Sequence, residues 1–491
     1  MDTNLLEKLE YTTLEDGGIE ITKLTDKGVS EVLLPEGVVA IGKRAFGSSI
    51  KLKKVTLPST LKRIGEYAFA GCINLKEINF PQGLEEIGNG AFSLTSDIAV
   101  INLPSSVREI GTFAFSGSSG ITAINVDPEN TAFRSEDGIL YSADGKTLIQ
   151  CPPKKKGDIT VLEITAEIGM GAFVRSEMSS IHIGAGVTYI SRGAFEKADA
   201  LTSITVSEDN KRYFSRNNTL YSGDGKTLIK YAASSPEEEM VIADGVTHIC
   251  SWAFAYCKNL KRVFAPNSLE VIEREAFFNA ASLEYIDVGR SLTEIGYSAF
   301  SYCANLRFPE LPNTFLTLGE NSFFACSSIT EVTLPESITK IGNRPFNGCP
   351  KIAKLTYDGT RAKWEEILDT VTGIPEEAEL VLLREPEPVD EEQAEEAPVE
   401  EKPVEEKPAP VKKDLTDEEA AALFNELFAD EDKPKDEAKD EAHVEEKSYD
   451  NLDPALLDDL INAKSEEKTA EEAAEKASEK KKGFFARIFK R

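Results

Sequence analysis

The hexapeptide Ile-Gly-x-x-Ala-Phe returns along this chain every 23 residues, as IGKRAF (41–46), IGEYAF (64–69), IGNGAF (87–92) and IGTFAF (110–115). Looser copies are IGMGAF (168–173), ISRGAF (190–195), ICSWAF (249–254), IEREAF (272–277), IGYSAF (295–300), LGENSF (318–323) and IGNRPF (341–346). A fixed short period means that each unit packs on its neighbours, so the chain is expected to form a solenoid. Such a fold offers a long surface, which favours binding over catalysis.

Aligned on the hexapeptide Ile, an apolar residue stands nine positions upstream (Val32, Val55, Ile78, Ile101, Ile159, Ile181, Val263, Ile286, Val332), with a second two residues later in most units. Period-two alternation predicts a short strand with both residues inward and the one between them outward. Pro35, Pro58, Pro104 and Pro335 then end the ladder. A second inward pair (Leu61/Ile64, Leu84/Ile87) follows. The Gly of the motif is assigned to a tight bend, and the Phe column to the spine of the core. Five cysteines (Cys72, Cys257, Cys303, Cys326, Cys349) fall three residues after that Phe, where other units place Ser49, Thr95, Ser118, Ser176, Ala198 and Ala280. This pattern asks for a small side chain and reads as reduced core thiols.

The order L-P-x-x-L-x-x-I-G-x-x-A-F-x-x-C resembles the BspA-like leucine-rich repeat family over roughly residues 10–383. The resemblance implies a repeat solenoid with short parallel strands in each 23-residue coil. The expected organisation is an N-terminal cap (1–31), a solenoid (32–356), and a closing cap (357–383) whose YDGTRAKWEEI segment resembles the family's terminal unit, with Trp364 over the exposed end. Hairpin insertions are expected near 127–158 and 207–239, where the motif spacing breaks. Their sequences, DGILYSADGKTLIQCPP and NTLYSGDGKTLIKYAAS, resemble each other. Asp144-Gly145 and Asp224-Gly225 suit two-residue turns, and the hairpins are expected to project from the coil as decorations of the family do. Pro309 stands where a strand residue belongs, so an interruption of the sheet is expected there.

The net charge is −30, and about −17 of it falls after residue 383. This acidity repels nucleic acid. Residues 384–479, rich in Pro, Glu and Lys, read as a disordered acidic linker. Two φφxxφφ islands within it, at 416–428 and 453–464, read as docking helices for a protein partner through Leu423, Phe424, Leu427 and Phe428, and through Leu456, Leu457, Leu460 and Ile461. The first carries the capping box Thr416-x-x-Glu419, and the second has Asp453 before Pro454. Residues 480–491, KKKGFFARIFKR, place Phe484, Phe485, Ile488 and Phe489 on one helical face, with Lys481, Lys482, Arg487, Lys490 and Arg491 available to anionic headgroups. This segment resembles the membrane-targeting helix of the division-site ATPase MinD, which implies a tether and no ATPase.

The outward strand column is the expected partner site on the solenoid: His182, Thr205, Val241, Phe264 and Asp287, with Phe264 read as an exposed anchor. No pattern points to a metal, a cofactor, a small-molecule substrate or a catalytic residue; Gly169-Met170-Gly171 lacks the third Gly of a phosphate loop. An enzyme would require a ligand-sized cleft near the hairpins with convergent polar groups. The start MDTNLLEKLEYTTLEDGG shows no apolar leader region. The expectation is therefore a non-catalytic cytoplasmic scaffold, peripheral on the inner membrane face. The alternative, carried by the family resemblance, is an exported surface adhesin.

Overall fold

The computed structural model describes residues 8–368, 371–375 and 377–384. It is a β-solenoid, and a regular coil has three runs. The first is the predicted alternating strand. In Lys54–Thr56, Val55 is buried between exposed neighbours, and the strand pairs in parallel with Glu31–Leu33 before it and Glu77–Asn79 after it. The second run carries the hexapeptide Ile: Val38–Ile41, Arg63–Ile64, Glu86–Ile87 and Glu109–Ile110 stack in parallel, with Ile41, Ile64 and Ile87 in register. The third run carries Ala and Phe and is neither helix nor strand.

Its amides follow a strict alternation. The N–H groups of Ala45, Gly47 and Ser49 donate to Gly42, Arg44 and Phe46 in the same coil, while those of Arg44, Phe46 and Ser48 donate to Glu66, Ala68 and Ala70 of the next. One set closes turns and the other stitches coils together, which satisfies groups that could not be buried unpaired. The geometry needs a left-handed residue at the fourth hexapeptide position and again four residues on: Arg44 (φ 57°) and Ser48 (φ 55°), Trp252 (φ 62°) and Tyr256 (φ 61°). A side chain costs roughly 1–2 kcal/mol in that conformation. The inter-coil bonds and the buried Phe between the two positions offset it.

The motif Gly has a different role from the bend expected of it. Gly65, Gly88 and Gly296 do not have left-handed φ; a Cβ on Gly88 would lie 2.7 Å from the Glu66 nitrogen and 2.8 Å from the Gly65 carbonyl carbon. In these coils the residue is required by the close approach of the preceding coil, whereas the coils that carry Ser191, Cys250 or Glu273 at this position accommodate a side chain. The cysteine column also gains a reason. The thiols of Cys303, Cys326 and Cys349 donate to the carbonyls of Phe277, Phe300 and Phe323 in the preceding coil at 3.0–3.1 Å, and Ser118 does the same to Phe92. All seven cysteines are unpaired as disulfides.

The chain opens on an antiparallel hairpin, Leu9–Thr13 with Ile19–Leu24, whose second strand starts the parallel stack against Val38–Ile41. At the other end Trp364, on the helix Arg361–Leu368, is buried 5.2 Å from the Tyr357 ring. Around Pro309 the first run lacks a strand between Tyr285–Asp287 and Glu331–Leu334, as the sequence predicts.

The insertions do not project. Thr147–Gln150 pairs antiparallel with Ile139–Ser142 on one side and parallel with Glu167–Ile168 on the other; Thr227–Tyr231 repeats this with Thr219–Ser222 and His248–Ile249. Each closing strand takes the place of a hexapeptide strand. The connections are the four residues 143–146 and 223–226, not two. Asp144 forces the longer turn by accepting from the Ser142 hydroxyl and the Lys146 amide, and Asp224 repeats it.

The core follows the same punctuation. Stacked rings run Phe46–Phe69–Phe92–Phe115, then Phe173–Phe195, then from Tyr231 through Phe254, Phe277, Phe300 and Phe323 to Phe346, with centroids 4.7–6.0 Å apart. The spine breaks at each insertion.

Candidate interaction face and insertion clefts

The first-run strands place their outward residues on two short sheets flanking the second insertion. On one, His182 pairs in register with Thr205, and its Nδ1 lies 3.0 Å from the Thr205 hydroxyl. On the other, Val241, Phe264 and Asp287 align across Glu239–Val241, Arg262–Phe264 and Tyr285–Asp287. The structure brings the last three together and does not pair them with His182 and Thr205. Val241 is 70% exposed. Phe264, expected to be exposed, is half-buried. Its ring leans on Tyr285, with centroids 5.9 Å apart.

Tyr285, 45% exposed, escaped the sequence reading. That reading followed only the residue between the two inward positions, whereas a strand also turns outward on the other side of its buried residue. The same oversight hid Arg262, which pairs with Glu239 along the patch. Asp287 is held by accepting from the Gly289 amide at 2.9 Å. The resulting surface is apolar at Val241, Phe264 and Tyr285, and ionic at its edge. The tail residues named above, Leu423 to Phe428, Leu456 to Ile461 and Lys481 to Arg491, lie outside the described residues.

No sequence motif points to a cleft, yet each insertion opens one. Aligning Leu228 with the hexapeptide Ile puts Tyr231 where Phe should stand, because Cys250 N donates to Leu228 and Tyr231 N to Ala253. The replacing coil is therefore two residues short in its third run, and space is left against the coil before it. The second-insertion cleft is about 440 Å³ and is lined by Phe195, Tyr213, Ile229, Lys230, His248 and Trp252 among others. The first, about 170 Å³, has Phe113 where the second has Gly193, and Gln150 where the second has Lys230.

Both insertions are pinned the same way. The buried Asn210 amide donates to Gly184 and Val187 and accepts from the amides of Arg212 and Tyr213. Asn130 repeats all four bonds with its own neighbours.

Burial shapes the charges in the larger cleft. Lys230, 2% exposed, donates to the Trp252 carbonyl at 2.9 Å, and desolvation lowers its pKa to about 8. Desolvation pushes the Glu196 carboxyl up to about 7, with Lys197 opposing the shift. The Lys197 ammonium sits 5.1 Å from the centre of the Trp252 ring. His248 Nδ1 lies 2.8 Å from the Thr247 hydroxyl. Among the described residues no cluster of His, Cys, Asp and Glu is arranged to hold a metal ion, and no helix is long and apolar enough to cross a membrane.

A family model described as BspA type leucine rich repeat region (6 copies) matches residues 22–136, 155–221 and 231–359. A search of curated proteins returns no match. Among solved structures, a leucine rich cell surface protein from Faecalibacterium prausnitzii is 23% identical with a TM-score of 0.51, covering 73% of this chain and 96% of that one. A leucine-rich repeat protein from Eubacterium ventriosum is 22% identical with a TM-score of 0.43, covering 77% and 92%. The pneumococcal vaccine antigen PcpA is 18% identical with a TM-score of 0.40, covering 76% and 96%. With a coil period, inward columns and family model in agreement over most of its length, this chain belongs to the BspA-type leucine-rich repeat family.

Proposed function

We propose that the protein is a non-catalytic scaffold that binds a protein partner through the sheet face of its solenoid. The observation that carries this reading is the Val241–Phe264–Tyr285 patch: Val241 and Phe264 stand in register on adjacent strands, the Tyr285 ring leans on Phe264 from the next strand, and the Arg262–Glu239 pair borders them. Large apolar groups rimmed by charge are the usual composition of an interface centre. The test compares affinity capture by the wild-type chain and by a Val241→Glu/Tyr285→Ala variant with the same circular dichroism. Loss of a specific captured protein is expected, and an unchanged set of captured proteins contradicts the assignment of the face.

The tail completes the proposal. Its two apolar islands dock to partners, and the basic segment 480–491 tethers the scaffold to an anionic cytoplasmic membrane surface, each basic residue contributing ~1 kcal/mol. Flotation on anionic vesicles should separate the full chain, which binds, from a 1–479 truncation, which does not; equal flotation of the two removes the tether. A second reading, a surface adhesin, is favoured by the description of the Faecalibacterium structure as a cell surface protein. Protease treatment of intact cells decides between them: protection is expected of the scaffold and cleavage of the adhesin.

A further inference from the structure

The coil before the second insertion ends in mid-ladder. In a regular coil the amides at the fourth, sixth and eighth positions donate to the next coil, as those of Tyr67, Phe69 and Gly71 do to Asn89, Ala91 and Ser93. In the coil of Ile190 these amides belong to Gly193, Phe195 and Lys197. The coil that should receive them is two residues short, and none of the three has a hydrogen-bond partner among the described residues. Gly193 and Phe195 line the cleft. Unpaired backbone N–H groups at the wall of a concavity are fixed partial positive charges that favour an anion; the left-handed residues Gly193 (φ 69°) and Lys197 (φ 54°) stand on either side of Phe195, while the alternate amides of Ala194 and Glu196 are bonded within the coil.

A cation faces the same space. Lys230 is buried with a single partner, the Trp252 carbonyl, and no carboxylate pairs with it among the described residues. A buried ammonium so placed retains donors for an anion. Three acids stand nearby. Asp199, whose charge reaches Lys230, is paired with Lys258 at 3.6 Å. Glu273 is occupied, accepting from the Ser251 amide and hydroxyl and standing 3.9 Å from Arg192. Glu196 is buried, and its burial favours the neutral acid. Most of the remaining wall is apolar or aromatic, from Ile190, Phe195, Tyr213, Ile229 and Trp252, with hydroxyls of Ser191, Ser222, Thr227 and Ser251 and the His248 ring among them, which suits an organic stem better than inorganic phosphate. In the first insertion Phe113 stands where Gly193 does and Gln150 replaces the cation, and the space shrinks to about 170 Å³.

We propose that the second-insertion cleft is a binding site for a carboxylate on an apolar or aromatic stem, held by the Gly193 and Phe195 amides and the Lys230 ammonium. The carboxylate belongs either to a small free acid or to the C-terminus of a peptide. The site is independent of the sheet-face patch.

Calorimetric titration of the full chain with benzoate, N-acetyl-phenylalanine and N-acetyl-phenylalanine amide tests it. At least one acid should bind saturably, and the amide should bind about 10-fold or more weakly, the discrimination expected of a hydrogen bond to a charged group. Binding of N-acetyl-phenylalanine, with or without benzoate, assigns a peptide terminus, and binding of benzoate alone a free acid. Lys230→Gln, which installs the residue tolerated at position 150, should weaken binding by about 10-fold or more. No saturable heat with either acid, or equal binding of acid and amide by the wild-type chain, overturns the proposal without reference to any variant. Unchanged affinity in a folded Lys230→Gln protein overturns the role of that lysine.

Discussion

Replacing Gly88 by Ala discriminates between two reasons for the motif glycine. Were Gly present only to bend the chain, its ordinary φ would let Ala replace it with a gain of about 0.4–1 kcal/mol, since Ala restricts the unfolded chain. The structure gives the opposite sign. The new methyl carbon would lie 2.7 Å from the Glu66 nitrogen, 2.8 Å from the Gly65 carbonyl carbon and 3.2 Å from the Glu66 Cα. These are backbone atoms of the preceding coil, held by the 2.7 Å bond from the Gly88 amide to the Ile64 carbonyl. They cannot rotate away as a side chain would, so the coils must separate locally, at a cost of about 1–3 kcal/mol typical of overpacking. Gly37→Ala is the control. Gly37 has φ +96° and nothing within 4 Å of a Cβ, so its loss of ~1 kcal/mol comes from backbone strain alone. Urea midpoints followed by circular dichroism measure both. A Gly88→Ala midpoint at or above wild type would refute the close-approach account.

Other consequences follow from the same geometry. Phe277→Ala removes a fully buried ring stacked at 4.7 and 4.9 Å on Phe254 and Phe300. It should cost about 3–5 kcal/mol, with hydrogen exchange rising in the neighbouring coils and sparing those of Phe46 to Phe115, because coils contact only their neighbours. Asn210→Ala should destabilise the chain by about 1–3 kcal/mol, the penalty for orphaned buried backbone groups, and should shift the thermal midpoint more than Asn74→Ala, which loses one part-buried bond. The Glu196 pKa is raised from 4.5 to about 7, so its neutral form stabilises the fold fully below about pH 4.5 and less as pH rises through about 7. Lys230, lowered from 10.5 to about 8, acts in the other window: stability recovers as pH rises from about 8 toward 10.5. Thermal midpoints against pH should therefore lose their fall between about 4.5 and 7 in Glu196→Gln, and an unaltered profile would remove that carboxyl as its source.

How much of this was legible in the sequence depended on whether a residue's role repeats. Val55, Leu61, Ile64 and Phe69 recur at fixed offsets because the core demands the same shape in every coil, and alignment alone finds them. The left-handed positions escaped because Arg44, Tyr67, Ser298 and Asn321 share no side-chain chemistry; inter-coil backbone bonds hold them there, and backbone bonds leave no mark in composition. The Gly column was visible but its cause was not, since distance to the preceding coil is a three-dimensional quantity. Tyr285 was lost to a rule that followed one outward residue per strand. The cleft arises from two absent residues between Leu228 and Tyr231, and an absence shows only after the shortened coil has been placed in the stack.

The most direct test of the scaffold reading is site-specific photo-crosslinking in cells, with a benzophenone amino acid at Val241 or Tyr285 and a control on the turn face at Asn279, which is exposed. The account predicts one shared protein adduct from positions 241 and 285 and none of it from 279. Adducts at all three positions alike, or at 279 alone, would contradict a partner seated on the sheet face.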